Sequence, residues 1–193
     1  MARPRTIEEP DLIAALARVF ATYGYDGASL AHLAQGTGLQ RASLYHRFPG
    51  GKAQMAEEVL KAVGDWVEAE VVAPLCGAGP PRERLTRALG AFNRLYEGGT
   101  RACLLNMLSA PGAGDEPLRP AIGAAFDTLT AAFAHLARDA GQPVAAAQAF
   151  GERAVMLVQG SLVMCRGTGR TAPFANALTR IEGDLFPRME ALS

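Results

Sequence analysis

The stretch from Gly24 to Lys52, GYDGASLAHLAQGTGLQRASLYHRFPGGK, restricts the fold more than any other part of the chain. Ser29 has the residue type of an N-cap, and Leu30, Leu33 and Ala34 follow it at helical spacing. Gly38 breaks that helix. Leu39 turns inward, and Leu44 and Phe48 make the apolar side of a second short helix. Two helices joined by a tight turn containing glycine form a helix-turn-helix. The outward side of the second helix carries Gln40, Arg41, Ser43, Tyr45, His46 and Arg47. Arginine pairs with guanine edges and glutamine with adenine edges, while hydroxyl and amine groups suit phosphates. The pattern fits a recognition helix lying in a major groove.

The same residues carry a family resemblance. The stretch resembles the N-terminal domain of TetR/AcrR-family transcriptional regulators, from Ala14-Ala15-Leu16 and Val19-Phe20 through Tyr23-Gly24-Tyr25 and Ser29-Leu30 to Leu33-Ala34. It continues with Gly38-Leu39, Ser43-Leu44-Tyr45-His46-Arg47-Phe48 and Gly51-Lys52. The resemblance implies that Gln40, Arg41, Ala42 and Ser43 face bases. It implies that Tyr45, His46 and Lys52 contact phosphates, with Ser29 as a phosphate-contacting cap. Independently, a helix N-terminus such as that at Ser29 offers backbone N–H groups to an anion. His32 stands at N3, where a capping box has Glu or Gln, so the second cap bond is expected to be missing.

Composition limits how such a protein can hold DNA. Over 193 residues the net charge is zero, so any nucleic-acid contact must come from a local patch. Residues 1–52 hold six Lys/Arg against four acids, a modest local excess. Arg3 and Arg5 are either an arm reaching toward DNA or a frayed tail. The chain is 49% hydrophobic and 20% charged, as globular proteins are. Three widely spaced cysteines without a CxxC argue against a disulfide framework or a zinc site. No signal peptide or membrane span is legible, so the expected location is the cytoplasm.

The rest of the chain reads as helices and breakers. The first helix shows Ile13, Leu16, Ala17 and Phe20 as its stripe and ends at Gly24. A longer helix opens at Lys52, with Met55, Val59, Val63, Trp66 and Val67 on one face, and PLCGAGPP (74–81) stops it. Further helices are expected over 82–97, 101–110, 118–136 and 145–166, and from Phe174 onward, with PGAGDEP (111–117) as a loop. The expected fold is all-α with about nine helices: a three-helix helix-turn-helix domain over 1–50 and a larger helical bundle over 51–193. From Ala154 to Cys165 the sequence is apolar nearly all round, as a helix covered on both sides would be. The resemblance implies that the last two helices pair with their symmetry mates in a homodimer.

The second domain reads as a sensor. The resemblance implies a cavity among the middle helices for a small-molecule effector. Candidate lining residues are Trp66, Phe92, Tyr96, Cys103, Met107, Phe126, Met156 and Gln159, though plain core packing explains aromatic and Met residues equally well. The absence of clustered charge points to a neutral, apolar or aromatic effector. RACLLNMLS (101–109) and the TAPF start of the last helix are similar to the LmrA/YxaF-like subset of the family. Cys103, near Arg101 and a helix start, is either a redox-sensitive thiol or a buried inert one. Catalysis is not expected, and neither is a cofactor or a metal. The three histidines lack metal-ligand spacing, FPGGKA departs from a phosphate-binding loop, and no Gly-x-Ser-x-Gly occurs. The expected function is a repressor released from a palindromic operator by a ligand. The alternatives are the same DNA binder controlled by cysteine oxidation, or a helical small-molecule-binding protein with little DNA affinity.

Overall fold

The structure is a computed structural model that describes residues 7–109 and 118–187. Arg3, Arg5 and the 111–117 segment lie outside the described residues. Among the described residues every regular element is helical: α1 (Glu9–Gly27), α2 (Leu30–Thr37), α3 (Arg41–Arg47), α4 (Gly51–Val67), α5 (Ala73–Cys76), α6 (Pro81–Leu95), α7 (Leu104–Leu108), α8 (Arg119–Asp139), α9 (Val144–Thr168) and α10 (Ala172–Leu185). A π turn over Glu68–Val72 joins α4 to α5, so the described residues form nine helices when that run is counted as one. The chain divides into two compact units, Met1–Asp65 with Cys103–Gly123, and Trp66–Ala102 with Ala124–Ser193.

The first unit is built on α1. Pro10 starts this helix where its missing N–H costs nothing, and Glu9 and Asp11 complement the dipole. Its buried stripe is Leu12, Leu16 and Phe20, all fully enclosed. The expected stripe began at Ile13, but that residue is only half-buried. The rest of the expected stripe, Leu16, Ala17 and Phe20, is buried, and Leu12, Ala15 and Val19 widen the buried face. Regular helix stops at Gly24, which has φ +69°. Val19 packs so closely on α2 that a Cβ at Gly36 would collide with its side chain. The short α7 packs on α1, and a Cβ at Gly24 would lie 3.2 Å from the Met107 carbonyl oxygen.

The helical run ends at Cys76, inside the expected stop over 74–81, after passing through Pro74. Proline lacks an N–H, and its ring clashes with the carbonyl four residues back. Here the turn is widened just before it, with the Ala73 N–H bonding Glu68 O in an i→i−5 pattern, and that wider turn accommodates the proline.

The second unit has an aromatic core. Phe92 stacks with Tyr96 at 6.0 Å and with Phe133 at 6.2 Å, Phe133 meets Phe150 edge-on, and Tyr96 meets Phe174 edge-on at 5.8 Å. Burying one such ring contributes about 1.5–3 kcal/mol. Helices α8 and α9 approach so closely that a Cβ at Gly151 would collide with the Thr130 carbonyl. Among the described residues, only one side of α9 is covered. Ala147, Phe150, Ala154, Val158, Leu162 and Cys165 are buried, while Met156 is 64% and Met164 56% exposed.

Arg84 is the buried charge of this unit. It bonds the Pro74 carbonyl at 3.4 Å, the Leu75 carbonyl, and Asp139 Oδ2 at 2.8 Å. The guanidinium therefore satisfies the Leu75 carbonyl at the end of α5 and adds to the Gly77 N–H on the Pro74 carbonyl. The Arg84 hydrogen bond holds the Asp139 carboxyl below the usual carboxylate range. Desolvation opposes that effect, and His135, with Nε2 3.3 Å from Oδ2, adds to it.

Candidate nucleic-acid interface

The interface rests on how α2 and α3 are held. Ser29 Oγ accepts from His32 N at 3.2 Å and caps α2. The expected loss of the reciprocal contact is corrected, because His32 Nδ1 reaches back to 3.5 Å from Ser29 N. The same nitrogen lies 3.0 Å from the Gly27 carbonyl oxygen. One ring nitrogen cannot donate and accept at once, so the tautomer decides: an unprotonated Nδ1 accepts from Ser29 N–H, and Nδ1–H donates to the Gly27 carbonyl instead. Tyr23 stacks on the imidazole with centroids 4.2 Å apart. With Nδ1 unprotonated, the histidine stands where a capping box has an acid, and the Tyr23 ring packs on it.

The turn into α3 is closed locally. Gly38 sits at φ +70°, and nothing lies within 4 Å of where its Cβ would stand, so backbone conformation and not space calls for glycine. Thr37 Oγ1 donates to Leu33 O at 2.8 Å and accepts from Leu39 N at 3.4 Å. On α3, Leu44 and Phe48 are fully buried, which fixes the helix's rotation. Gln40, Arg41, Ala42, Ser43, Tyr45 and His46 are consequently all exposed. A seven-residue helix is about 10 Å long, a length that enters a major groove.

The remaining candidates are placed as follows. Tyr45 is half-exposed, and its ring lies 3.6 Å from where a Gly51 Cβ would stand, so it rests on the start of α4. Lys52 is half-buried. Its ammonium donates to Tyr25 O at 3.0 Å and lies 4.5 Å from the centre of the Tyr25 ring. Burial, with Asp26 and Glu57 nearby, pushes the Tyr25 hydroxyl's pKa up. Arg47 is paired with Glu9 on α1. Sequence reading does not reach Gln54, whose Oε1 accepts from Gly50 N at 2.9 Å ahead of α4.

The candidate ligand residues do not form one group. Trp66, Phe92, Tyr96, Phe126, Met156 and Gln159 belong to the second compact unit, and Cys103 and Met107 to the first. Phe92 and Tyr96 are in the aromatic core, while Met156 faces outward on α9. Gln159 Oε1 is buried and has no hydrogen-bond partner among the described residues. Cys103 is buried at the start of α7.

A rigidly capped helix-turn-helix, carried by a chain that is otherwise a helical bundle, defines a two-part helical regulator fold. Comparison with known proteins narrows this. Residues 12–59 match the family described as "Bacterial regulatory proteins, tetR family", and residues 95–180 match "Transcriptional regulator LmrA/YxaF-like, C-terminal domain". The chain belongs to the TetR family, with an LmrA/YxaF-like C-terminal domain. It is 32% identical over 60 residues to the HTH-type transcriptional regulator LmrA of Bacillus subtilis, covering 31% of this chain and 32% of that protein. It is 36% identical over 87 residues to the HTH-type transcriptional repressor KstR2 of Mycolicibacterium smegmatis, covering 45% of this chain and 40% of that one. The matched stretches thus span well under two thirds of these relatives. A cysteine double mutant of the TetR-family regulator CifR, solved with 26-base-pair operator DNA, superposes with a TM-score of 0.75 at 22% identity, over 95% of this chain and 98% of that one. That likeness shows the fold.

Proposed function

We propose that this chain is a sequence-specific DNA-binding regulator, a repressor released from a palindromic operator by a small ligand. The observation that carries the reading is α3: two buried anchors, Leu44 and Phe48, and an exposed opposite face of Gln40, Arg41, Ala42, Ser43, Tyr45 and His46. In this reading Arg41 and Gln40 reach base edges with Ala42 and Ser43 beside them, and Ser29, Tyr45, His46 and Lys52 hold phosphates. The DNA head is residues 1–50 and the effector and dimerisation part is 51–193. The protein works in the cytoplasm, where its DNA is. Among the described residues no helix is long and apolar enough to cross a membrane.

Release by a ligand is supported by connectivity. Helix α7 packs on α1 in the first unit, while the chain on either side of 103–123, at Ala102 and Ala124, belongs to the second. A ligand that favours another arrangement of the second unit pulls on α7 and hence on α1. It must bind the DNA-free state more tightly than the DNA-bound state. Most of the candidate lining is apolar or aromatic, and so is the effector. Gln159 Oε1 calls for one donor on it.

Duplex binding at two salt concentrations tests the reading. Tight binding at low salt that weakens steeply as salt rises supports it. No binding at low salt would leave a helical ligand-binding protein. Control by cysteine oxidation is not favoured by the burial of Cys103. Operator affinity is expected to survive mild peroxide.

A further inference from the structure

The second unit contains a cavity of about 320 Å³ between the end of α9, the start of α10 and the bend after Gly99. Three arginines line it, from three different segments: Arg101 after the bend, Arg166 in the last turn of α9 and Arg170 in the turn between α9 and α10. The hydroxyl-bearing Thr100 and Thr171 line it too, and among the described residues no carboxylate does. Arg101 and Arg170 make no ion pair among the described residues.

The dipole of α9 explains part of this. A cation in a last helical turn is favourable, which accounts for Arg166. It does not account for Arg101, which is on no helix, nor for positive charge gathered beside the start of α10. That start is the positive end of a fourteen-residue helix, and no side chain caps it. Its field and the three guanidiniums repel one another, and an anion in the cavity reverses the balance. Guanidinium forks match the oxygens of phosphate and carboxylate, and three of them favour an anion carrying more than one charge. Arg166 and Arg170 are four residues apart in the sequence, and only the fold brings Arg101 to them.

We propose that this cavity is a binding site for a multiply charged oxyanion, the phosphoryl group of a small molecule. The site is distinct from the helix-turn-helix face and does not depend on the DNA-binding reading.

The test is calorimetric titration of the full-length protein, without DNA and at constant ionic strength, using pyrophosphate, inorganic phosphate and acetate as probes. Pyrophosphate is expected to bind saturably at one site per chain, more tightly than acetate. R101Q and R170Q should each weaken it roughly tenfold or more, the loss of one charge-assisted bond. R170K should recover part of that loss. R87Q, at an exposed α6 arginine that does not line the cavity, should bind as the unchanged protein does. Circular dichroism melting checks that each variant is folded. The proposal is overturned by the absence of saturable binding, by R101Q and R170Q binding with unchanged affinity, or by acetate binding as well as pyrophosphate.

Discussion

A side chain at position 24 meets two obstacles, a backbone at φ +69° and the Met107 carbonyl 3.2 Å from any Cβ. Gly24→Ala is therefore expected to destabilise the fold by about 1–3 kcal/mol, read as a lower urea midpoint. An unchanged midpoint would mean that α7 yields. Lys52 is held on Tyr25 by a hydrogen bond and by the ring face. If it also meets a phosphate, Lys52→Ala weakens every DNA sequence alike and flattens the salt slope by about one unit. Lower stability with an unaltered slope would assign it to the tie with Tyr25 alone. Arg41 is exposed at the start of α3, and Arg41→Ala should relax base preference at one operator position, costing about 1–3 kcal/mol. An unchanged preference profile would remove it from base reading.

At the scale of elements, the end of α5 depends on Arg84. Arg84→Met strands the Leu75 carbonyl and should cost about 1–3 kcal/mol in urea melting. It also removes the main cause of the depressed Asp139 pKa. A depressed carboxylate adds stability above its unfolded pKa of about 4, and that stability is lost as pH falls through the lower folded value. The unchanged protein should lose stability across that acid window, and Arg84→Met should lose less. An identical acid profile in both would contradict the link. Helices such as α2 and α3 are legible from sequence because their signals are local: Ser29 as cap, Gly38 as stop, Leu44 and Phe48 as anchors. The α1 stripe is legible at Leu16, Ala17 and Phe20, and only its first member is missed, since Leu12 and Ile13 are both apolar and packing chooses between them. The continuation through Pro74 is hidden, because a π turn has no sequence pattern that marks it. Arg84 is hidden for another reason: its partners lie 9, 10 and 55 residues away.

For the whole molecule, the unfinished surface is the outer side of α9. Met156 and Met164, with Val163 at 41% exposure, form an apolar stripe beside Ala172, Pro173 and Ala177 of α10. In the proposed homodimer these helices cover their counterparts, and two heads then match the two halves of a symmetric operator. Met164→Glu should give a monomer by sedimentation and weaken operator binding. A stable dimer in that variant would place the interface elsewhere. The most direct test of the account is selection of bound duplexes from a random DNA library by the purified protein, repeated at two salt concentrations. The account predicts a two-fold symmetric site whose affinity falls steeply with salt. No enriched sequence, together with no binding at low salt, would contradict it.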